Sequence, residues 1–271
     1  MKITKLSILA FLFAFGVFAC TSGTDENSEN KDSLAVETIP DVEVKKIDYP
    51  LNNPVEISKM LNQAGAAYTT DVTNSPKNID KYMTEKDKAL ALGIYGADLA
   101  YVSTYNKSQE TNLLFEVCKK TSDELGISNI YDEATLAKIE SNIENKDTLH
   151  SIISNSFHGT YQSLQENGKG AVSVLVLAGG WVEGLFISLE LTQNAIDKKK
   201  MMSGIANQKL NLDKLLVAME VYADNEAVKA TIAELQKIEA VYTKINPESL
   251  TPAQLKELSK VTGTVRAAMV K

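Results

Sequence analysis

The chain has 271 residues, a length that fits one large domain or two small ones. Hydrophobic residues make up 44% of it, enough to form a core. Its 28 Lys and Arg against 35 Asp and Glu give a net charge of −7, and Arg266 is the only arginine. The lysines are scattered among acids and form no basic stripe, so nucleic acid is not an expected partner. With one arginine, bidentate recognition of carboxylates or phosphates is also expected to be nearly absent.

Residues 1–19 have the layout of a secretory signal peptide. Lys2 and Lys5 precede an apolar run from Leu6 to Phe18, and the small residue Ala19 follows. The run is shorter than the roughly 20 apolar residues of a membrane-spanning helix, and no positive flank follows it. We therefore expect residues 1–19 to be removed on export.

Cys20 follows the apolar run directly. The stretch Val17-Phe18-Ala19-Cys20 resembles the lipobox of bacterial lipoproteins, in which the cysteine is lipidated and becomes the first residue of the mature chain. The resemblance implies a palmitate-type lipid anchor on Cys20, with the membrane as a partner, although an ordinary signal peptide with an incidental cysteine is the alternative. Thr21 stands where Asp would resemble an inner-membrane retention signal, which favours the outer membrane.

The remainder divides into a linker and one domain. Residues 20–47 are rich in Ser, Thr, Asn, Asp, Glu and Lys, a composition that predicts a flexible acidic tether. Residues 48–271 carry many helix signals and few strand signals, since period-two Val/Ile/Thr runs and hairpin dipeptides are missing. We expect these residues to form a single all-helical domain.

Capping patterns predict about nine helices. Thr84 with Asp87, and Thr251 with Pro252 and Gln254, have the arrangement of N-terminal helix caps. The expected helices run approximately over residues 53–70, 84–106, 108–126, 132–145, 147–167, 170–194, 203–223, 225–245 and 251–271. Short connections favour antiparallel neighbours, so we predict an all-α antiparallel bundle or a stack of helical hairpins. One tetratricopeptide-like hairpin is visible near Leu92 to Gly126, without a second copy.

Two helices stand out by composition. The helix that begins at Gly170 is the most apolar stretch, but Glu183 and Glu190 interrupt it, so it is predicted to be the central helix and not a membrane span. A strip of small residues lies on the helix that begins near Thr84: Ala89, Gly93, Gly96, Ala97 and Ala100. Glycine is costly within a helix, so the strip predicts a close crossing with Gly180 or Gly184, or a cavity beside them.

Motifs for chemistry are missing from the sequence. There is no His-Glu-x-x-His, Cys-x-x-Cys or Gly-x-Ser-x-Gly pattern, and Gly168-Lys169-Gly170 follows no strand as a phosphate loop would. The His-x-x-Glu motif of imelysin-type lipoproteins is also missing. Cys118 lies in a helical apolar pattern and is expected in the core. We therefore expect no enzyme activity, no cofactor and no metal.

One polar and aromatic group remains as a candidate ligand pocket. Tyr95, Asp98, Tyr101 and Tyr105 recur at helical spacing on one face. The other candidates are His158, Trp181 and Glu183. Because buried acids need partners, Asp98 and Glu183 are expected to meet a Tyr hydroxyl, a His or a Lys, either as a structural network or around a ligand. The sequence thus favours an envelope lipoprotein that binds a small molecule or an envelope partner, with an assembly scaffold as the alternative.

Overall fold

The helices begin where the sequence supplies caps, and they pack around one long apolar helix. A computed structural model describes residues 51, 54–246 and 250–270, so the predicted signal peptide, Cys20, the tether and the Asn53 cap lie outside the described residues. The helices are α1 Pro54–Gln63, α2 Glu85–Thr104, α3 Ser108–Glu124, α4 Glu133–Ser141, α5 Lys146–Glu166, α6 Gly170–Thr192, α7 Lys198–Glu220, α8 Glu226–Tyr242 and α9 Pro252–Met269. Strands do not occur in the described part, and the prediction of an all-α bundle of about nine helices is confirmed.

Several predicted helix ends are confirmed by their capping contacts. The side chain of Thr84 accepts the backbone N–H of Asp87 at the start of α2, and Thr251 does the same for Gln254 at the start of α9. In both cases the side chain of the third helical residue reaches back to the cap, which satisfies N–H groups that have no partner within the helix. Gly126 and Gly168, with φ of 79° and 76°, follow α3 and α5 as the sequence predicts.

Four predicted boundaries are wrong. The first helix ends at Gln63 and not near Thr70, because Gly65 turns the chain with φ of 67°. The cap of α5 is Asn145 and not Asp147, since Asn145 accepts the backbone N–H of Thr148. Helix α4 ends at Ser141, before the predicted end near residue 145. Helix α7 begins at Lys198, before the predicted start near Ser203, because Asp197 caps it.

The connection between α1 and α2 is the longest irregular segment between described helices. We call residues 64–83 the strap. It contains two short 3-10 helices, Thr70–Val72 and Pro76–Lys81, neither of which the sequence predicts. Its backbone runs along α2, and most of its side chains are exposed or half-buried, with Val72, Asn74 and Tyr82 among the buried ones.

The core is centred on α6, which packs most extensively against α2. Among the described residues, α6 is the one helix whose length and hydropathy would allow it to cross a membrane, but 94% of its most apolar window is buried within the domain. Its neighbours α1, α5, α7 and α9 cover it further. The apolar character of α6 is therefore used inside the domain, as predicted for a central helix.

The crossing of α2 and α6 depends on glycine. A Cβ atom added at Gly93 would collide with the carbonyl oxygen of Val176 and stand 2.6 Å from the backbone nitrogen of Gly180. One added at Gly179 would collide with the carbonyl oxygen of Leu90. The predicted close crossing is thus present, with Gly93 facing Gly180. The other two predicted glycines meet different helices, since Gly96 faces the Phe157 ring of α5 and Gly184 faces Ile57 of α1.

Candidate functional site

The polar face of α2 holds the strap. The Tyr105 hydroxyl donates to the carbonyl oxygen of Ala66 (2.8 Å), and that of Tyr95 donates to the carbonyl oxygen of Ser75 (2.9 Å). The Tyr101 hydroxyl accepts the backbone N–H of Thr69 at 2.9 Å and lies 3.2 Å from its carbonyl oxygen. All three predicted tyrosines thus bind backbone atoms of the same segment. In this structure the hydroxyls hold the backbone of the chain itself, as members of a structural network do.

Asp98 lies at the centre of this face and is fully buried. Its Oδ2 accepts the backbone N–H of Asn74 at 3.0 Å, a further contact to the strap. Its Oδ1 is buried and has no hydrogen-bond donor among the described residues. A buried carboxylate oxygen without a donor is costly, so this atom needs an explanation.

Glu183 of α6 and Arg266 of α9 form a bidentate ion pair. Arg266 Nε lies 2.6 Å from Glu183 Oε2, and Nη2 lies 2.7 Å from Oε1. The same Nη2 donates to the carbonyl oxygen of Val72 at 3.3 Å, and the guanidinium lies over the Phe186 ring with its carbon 4.2 Å from the ring centre. The prediction that Glu183 pairs with a Tyr, His or Lys is wrong, because its partner is Arg266, the only arginine of the chain. Bidentate recognition is present at this one place.

We call Asp98, Glu183 and Arg266 the core triad. Burial raises the pKa of the Asp98 carboxyl well above its ordinary value, and the charge of Glu183 raises it further. Burial also raises the pKa of Glu183, but its hydrogen bonds and ion pair with Arg266 oppose this. Because Arg266 pairs with both oxygens of Glu183, we assign the proton to Asp98, whose carboxyl then donates to Glu183. With this assignment one negative and one positive charge remain, so the buried triad is neutral.

His158 and Trp181 do not join the core triad. His158 lies on the exposed side of α5. Trp181 is buried on α6 and lines an apolar cleft together with Phe157, Tyr161 and Ile57. Its indole Nε1 is buried with no acceptor among the described residues. The space in the cleft is about 20 Å³, enough for roughly one water molecule.

His150 was not singled out from the sequence, yet it is the more deeply placed histidine. Its Nε2 lies 3.0 Å from the Thr104 hydroxyl, which itself donates to the carbonyl oxygen of Ala100. Because that hydroxyl hydrogen is used, Nε2 carries the proton and donates to Thr104. Burial lowers the pKa of His150, which keeps the ring neutral. A buried polar residue facing another helix gives no sequence signal beyond its position on the apolar side.

The hydrogen bonds of the core triad and of the three tyrosines hold helices and the strap together. Cys118 is a free, fully buried thiol whose pKa is raised by burial, which agrees with its predicted place in the core. Within the described ranges, no three His, Cys, Asp or Glu side chains are grouped to hold a metal ion. The core triad links α2, α6, α9 and the strap. Comparisons of the chain with protein-family models, curated proteins and solved structures found no match.

Proposed function

We propose that this chain is an exported, lipid-anchored protein of the cell envelope whose helical domain binds another envelope protein and carries out no chemistry of its own. The address rests on the signal-peptide layout and on Val17-Phe18-Ala19-Cys20. The binding role rests on what the described residues leave at the surface, because four of the residues predicted to line a pocket, Tyr95, Asp98, Tyr101 and Tyr105, are engaged in holding the strap.

One observation carries the binding role. Leu210 and Val217 of α7 are large apolar side chains with exposed fractions of 65% and 71%. They are seven residues apart, so they lie on the same face of the helix. A pair of apolar residues at this spacing fits the face of a partner helix, as in helix-in-groove and coiled-coil recognition.

At the predicted pocket residue Trp181, the enclosed space is too small for a small-molecule ligand, which favours a protein partner there. The larger spaces, about 830 Å³ beside residues 140–147 and about 430 Å³ between the end of α6 and the start of α9, lie at the surface and contain none of the predicted pocket residues. The apolar cleft beside Trp181 holds about one water molecule, whereas sites for small-molecule ligands are typically about 300–1,000 Å³. The unpartnered indole N–H is the feature that would suit a ligand, but the space beside it is too small. The exposed face of α7 needs no cavity.

Photo-crosslinking in intact cells tests the proposal. A photoreactive amino acid at position 210 or 217 is expected to give the same crosslinked partner, because both side chains would lie in one interface. The matched control is position 260, where Lys260 is exposed on a different helix, α9. A product that forms equally from all three positions, or from none, would contradict an interface on α7. If crosslinking fails only at positions 210 and 217, an assembly scaffold would have to use another face of the domain.

A further inference from the structure

The connection between α6 and α7 combines two unusual surface features. Ile196 has an exposed fraction of 89%, the highest among the large exposed hydrophobic side chains of the described part. Lys198, Lys199 and Lys200 follow it, and all three are exposed. We call residues 196–200 the basic tip. An isolated exposed apolar residue is ordinary, but one placed beside three lysines is a combination that calls for a partner.

The lysines of the basic tip are not neutralised by neighbouring acids. Elsewhere lysines pair with carboxylates, as Lys88 does with Glu124 and Lys209 with Asp213. None of the three tip lysines forms an ion pair with a residue that the structure describes. Lys200 instead donates to the side-chain oxygen of Gln63 at 3.1 Å.

The acid within the basic tip is Asp197, and it is occupied. Its carboxylate accepts the backbone N–H of Lys200 at the start of α7, at 2.9 Å. A carboxylate in this position is compensated by the positive end of the helix dipole. The tip therefore presents a positive surface on a domain that is acidic as a whole.

The basic tip is held in place, which distinguishes it from a mobile loop. The backbone N–H of Asp197 donates to the carbonyl oxygen of Ala64 at 2.9 Å, which fixes the tip on the end of α1. Ala195 and Met201, on either side, are buried. Ile196 lies over Gly65, where a Cβ atom would approach its Cδ1 to 2.9 Å. The fold thus presents an apolar side chain outward among lysines.

We propose that the basic tip docks on an anionic lipid surface, with Ile196 inserted between headgroups and the lysines on the phosphates. The three lysines favour a negatively charged partner, and the exposed side chain of Ile196 favours a lipid surface over a purely charged polymer. This inference rests on the proposed function in one respect, since the lipid on Cys20 would keep the domain near a bilayer. Docking would orient the domain on that bilayer.

Vesicle flotation tests this docking without the lipid anchor. The chain from residue 20 onward, with Cys20→Ser, is mixed with vesicles of equimolar phosphatidylglycerol and phosphatidylcholine, or with phosphatidylcholine alone. Binding is expected only to the anionic vesicles, and it should be lost when salt of about 1 M shortens the Debye length to roughly 3 Å. Because no lipid is attached, a failure here says nothing about Cys20.

Variants of the basic tip identify the contact. Lys198→Gln with Lys199→Gln should weaken partition about 25-fold, since each lysine near an anionic surface contributes about fivefold. Ile196→Asn should weaken it several-fold. The matched controls are Lys256→Gln with Lys260→Gln on α9, and Leu113→Asn on α3, all exposed positions that should leave binding unchanged.

The outcomes separate the proposal from its competitors. Equal losses from tip and control variants would mean that the contact is non-specific. Equal binding to neutral vesicles would remove the role of the lysines. No binding to either vesicle would overturn lipid docking and leave the tip to an acidic protein partner.

Discussion

We expect the buried Asp98 to make the stability of the domain depend on pH. Burial and the neighbouring Glu183 raise its pKa, so the folded chain holds a proton that the unfolded chain releases above about pH 4. Between the two pKa values the folded state binds more protons, and its free energy of unfolding falls as pH rises. The stabilisation is fully present below about pH 4 and is lost as pH rises through the raised pKa of Asp98.

Asp98→Asn is expected to remove this dependence. The amide oxygen can accept the N–H of Asn74, and the amide nitrogen can donate to Glu183, so the hydrogen bonds of the protonated acid are kept. The variant should therefore gain stability over the wild type as pH rises, by about 1.4 kcal/mol for each pH unit in which only the native wild type holds the proton. Urea unfolding at about pH 5 and about pH 8 measures the difference.

Glu183→Gln is the contrasting variant, because it leaves Arg266 without its carboxylate. Breaking a buried pair on one side costs about 3–5 kcal/mol. The two changes each remove one acid from the same cluster, so only the proton assignment predicts opposite effects. If Asp98→Asn were as destabilising as Glu183→Gln at every pH, Asp98 would carry a charge in the native state, and the proton assignment would be wrong.

Sequence reasoning reached the acids of the core triad but not their cation. Asp98 and Glu183 were identifiable because each interrupts an apolar helical pattern. Arg266 is 83 residues from Glu183, and no local periodicity connects α9 to α6. A signal did exist, since a buried acid needs a cation and the chain offers a single arginine, whose planar fork suits a buried carboxylate. The sequence groups His158 with these residues because helical spacing alone does not decide which face of a helix is buried.

At the scale of whole elements, the contact of α2 with α6 is expected to be intolerant of a single methyl group. Gly93→Ala would drive its Cβ into the carbonyl oxygen of Val176, a backbone atom that cannot move without separating the helices. Overpacking of this kind costs about 1–3 kcal/mol or more. The thermal unfolding midpoint of Gly93→Ala should therefore fall below that of the wild type.

Gly263 of α9 provides the matched control. A Cβ atom there would meet nothing within 4 Å, so Gly263→Ala changes the same residue type in open space. It should raise stability by about 0.4–1 kcal/mol, because alanine restricts the unfolded chain. A rise for both variants would show that α2 and α6 can separate slightly at no cost, against the close crossing.

The helix starts that the sequence predicts correctly are those marked by a local cap. Helices α2 and α9 begin as predicted because a Thr with its third helical residue forms a local, self-contained arrangement. The sequence places the start of α7 too late because the lysine run after Asp197 resembles a loop. The strap could not be predicted at all, since its conformation is set by the hydroxyls of Tyr95, Tyr101 and Tyr105 on a different element.

For the molecule as a whole, the core triad joins elements that are distant along the chain. Arg266 connects α9 to the central helix through Glu183 and to the strap through the carbonyl oxygen of Val72. Asp98 connects α2 to the strap through Asn74. The strap and the last helix are therefore held by the same group of buried polar side chains. The central helix, although apolar enough for a membrane, is committed to this core.

In our proposal, attachment to the membrane therefore depends on Cys20. Cys20→Ser should abolish labelling by a palmitate analogue in cells and release the protein from the membrane fraction. The physical reason is that acyl chains contribute about 0.8 kcal/mol per buried methylene, far more in total than a few surface lysines and one isoleucine. Washing the membranes in high salt separates the two contributions, because salt removes docking through the basic tip but leaves a lipid anchor in place.

The second cysteine makes the result specific. Cys118 is buried among core side chains, so Cys118→Ala should keep both the label and the membrane attachment, with at most a loss of stability. Loss of the label in both variants would indicate that misfolding and not the acceptor thiol is responsible. A Cys20→Ser protein that keeps its label, or that stays in salt-washed membranes, would contradict the lipobox assignment, and the export signal would then be that of an ordinary secreted protein. Release by Cys20→Ser together with retention by Cys118→Ala is the pattern that only a lipid on Cys20 predicts.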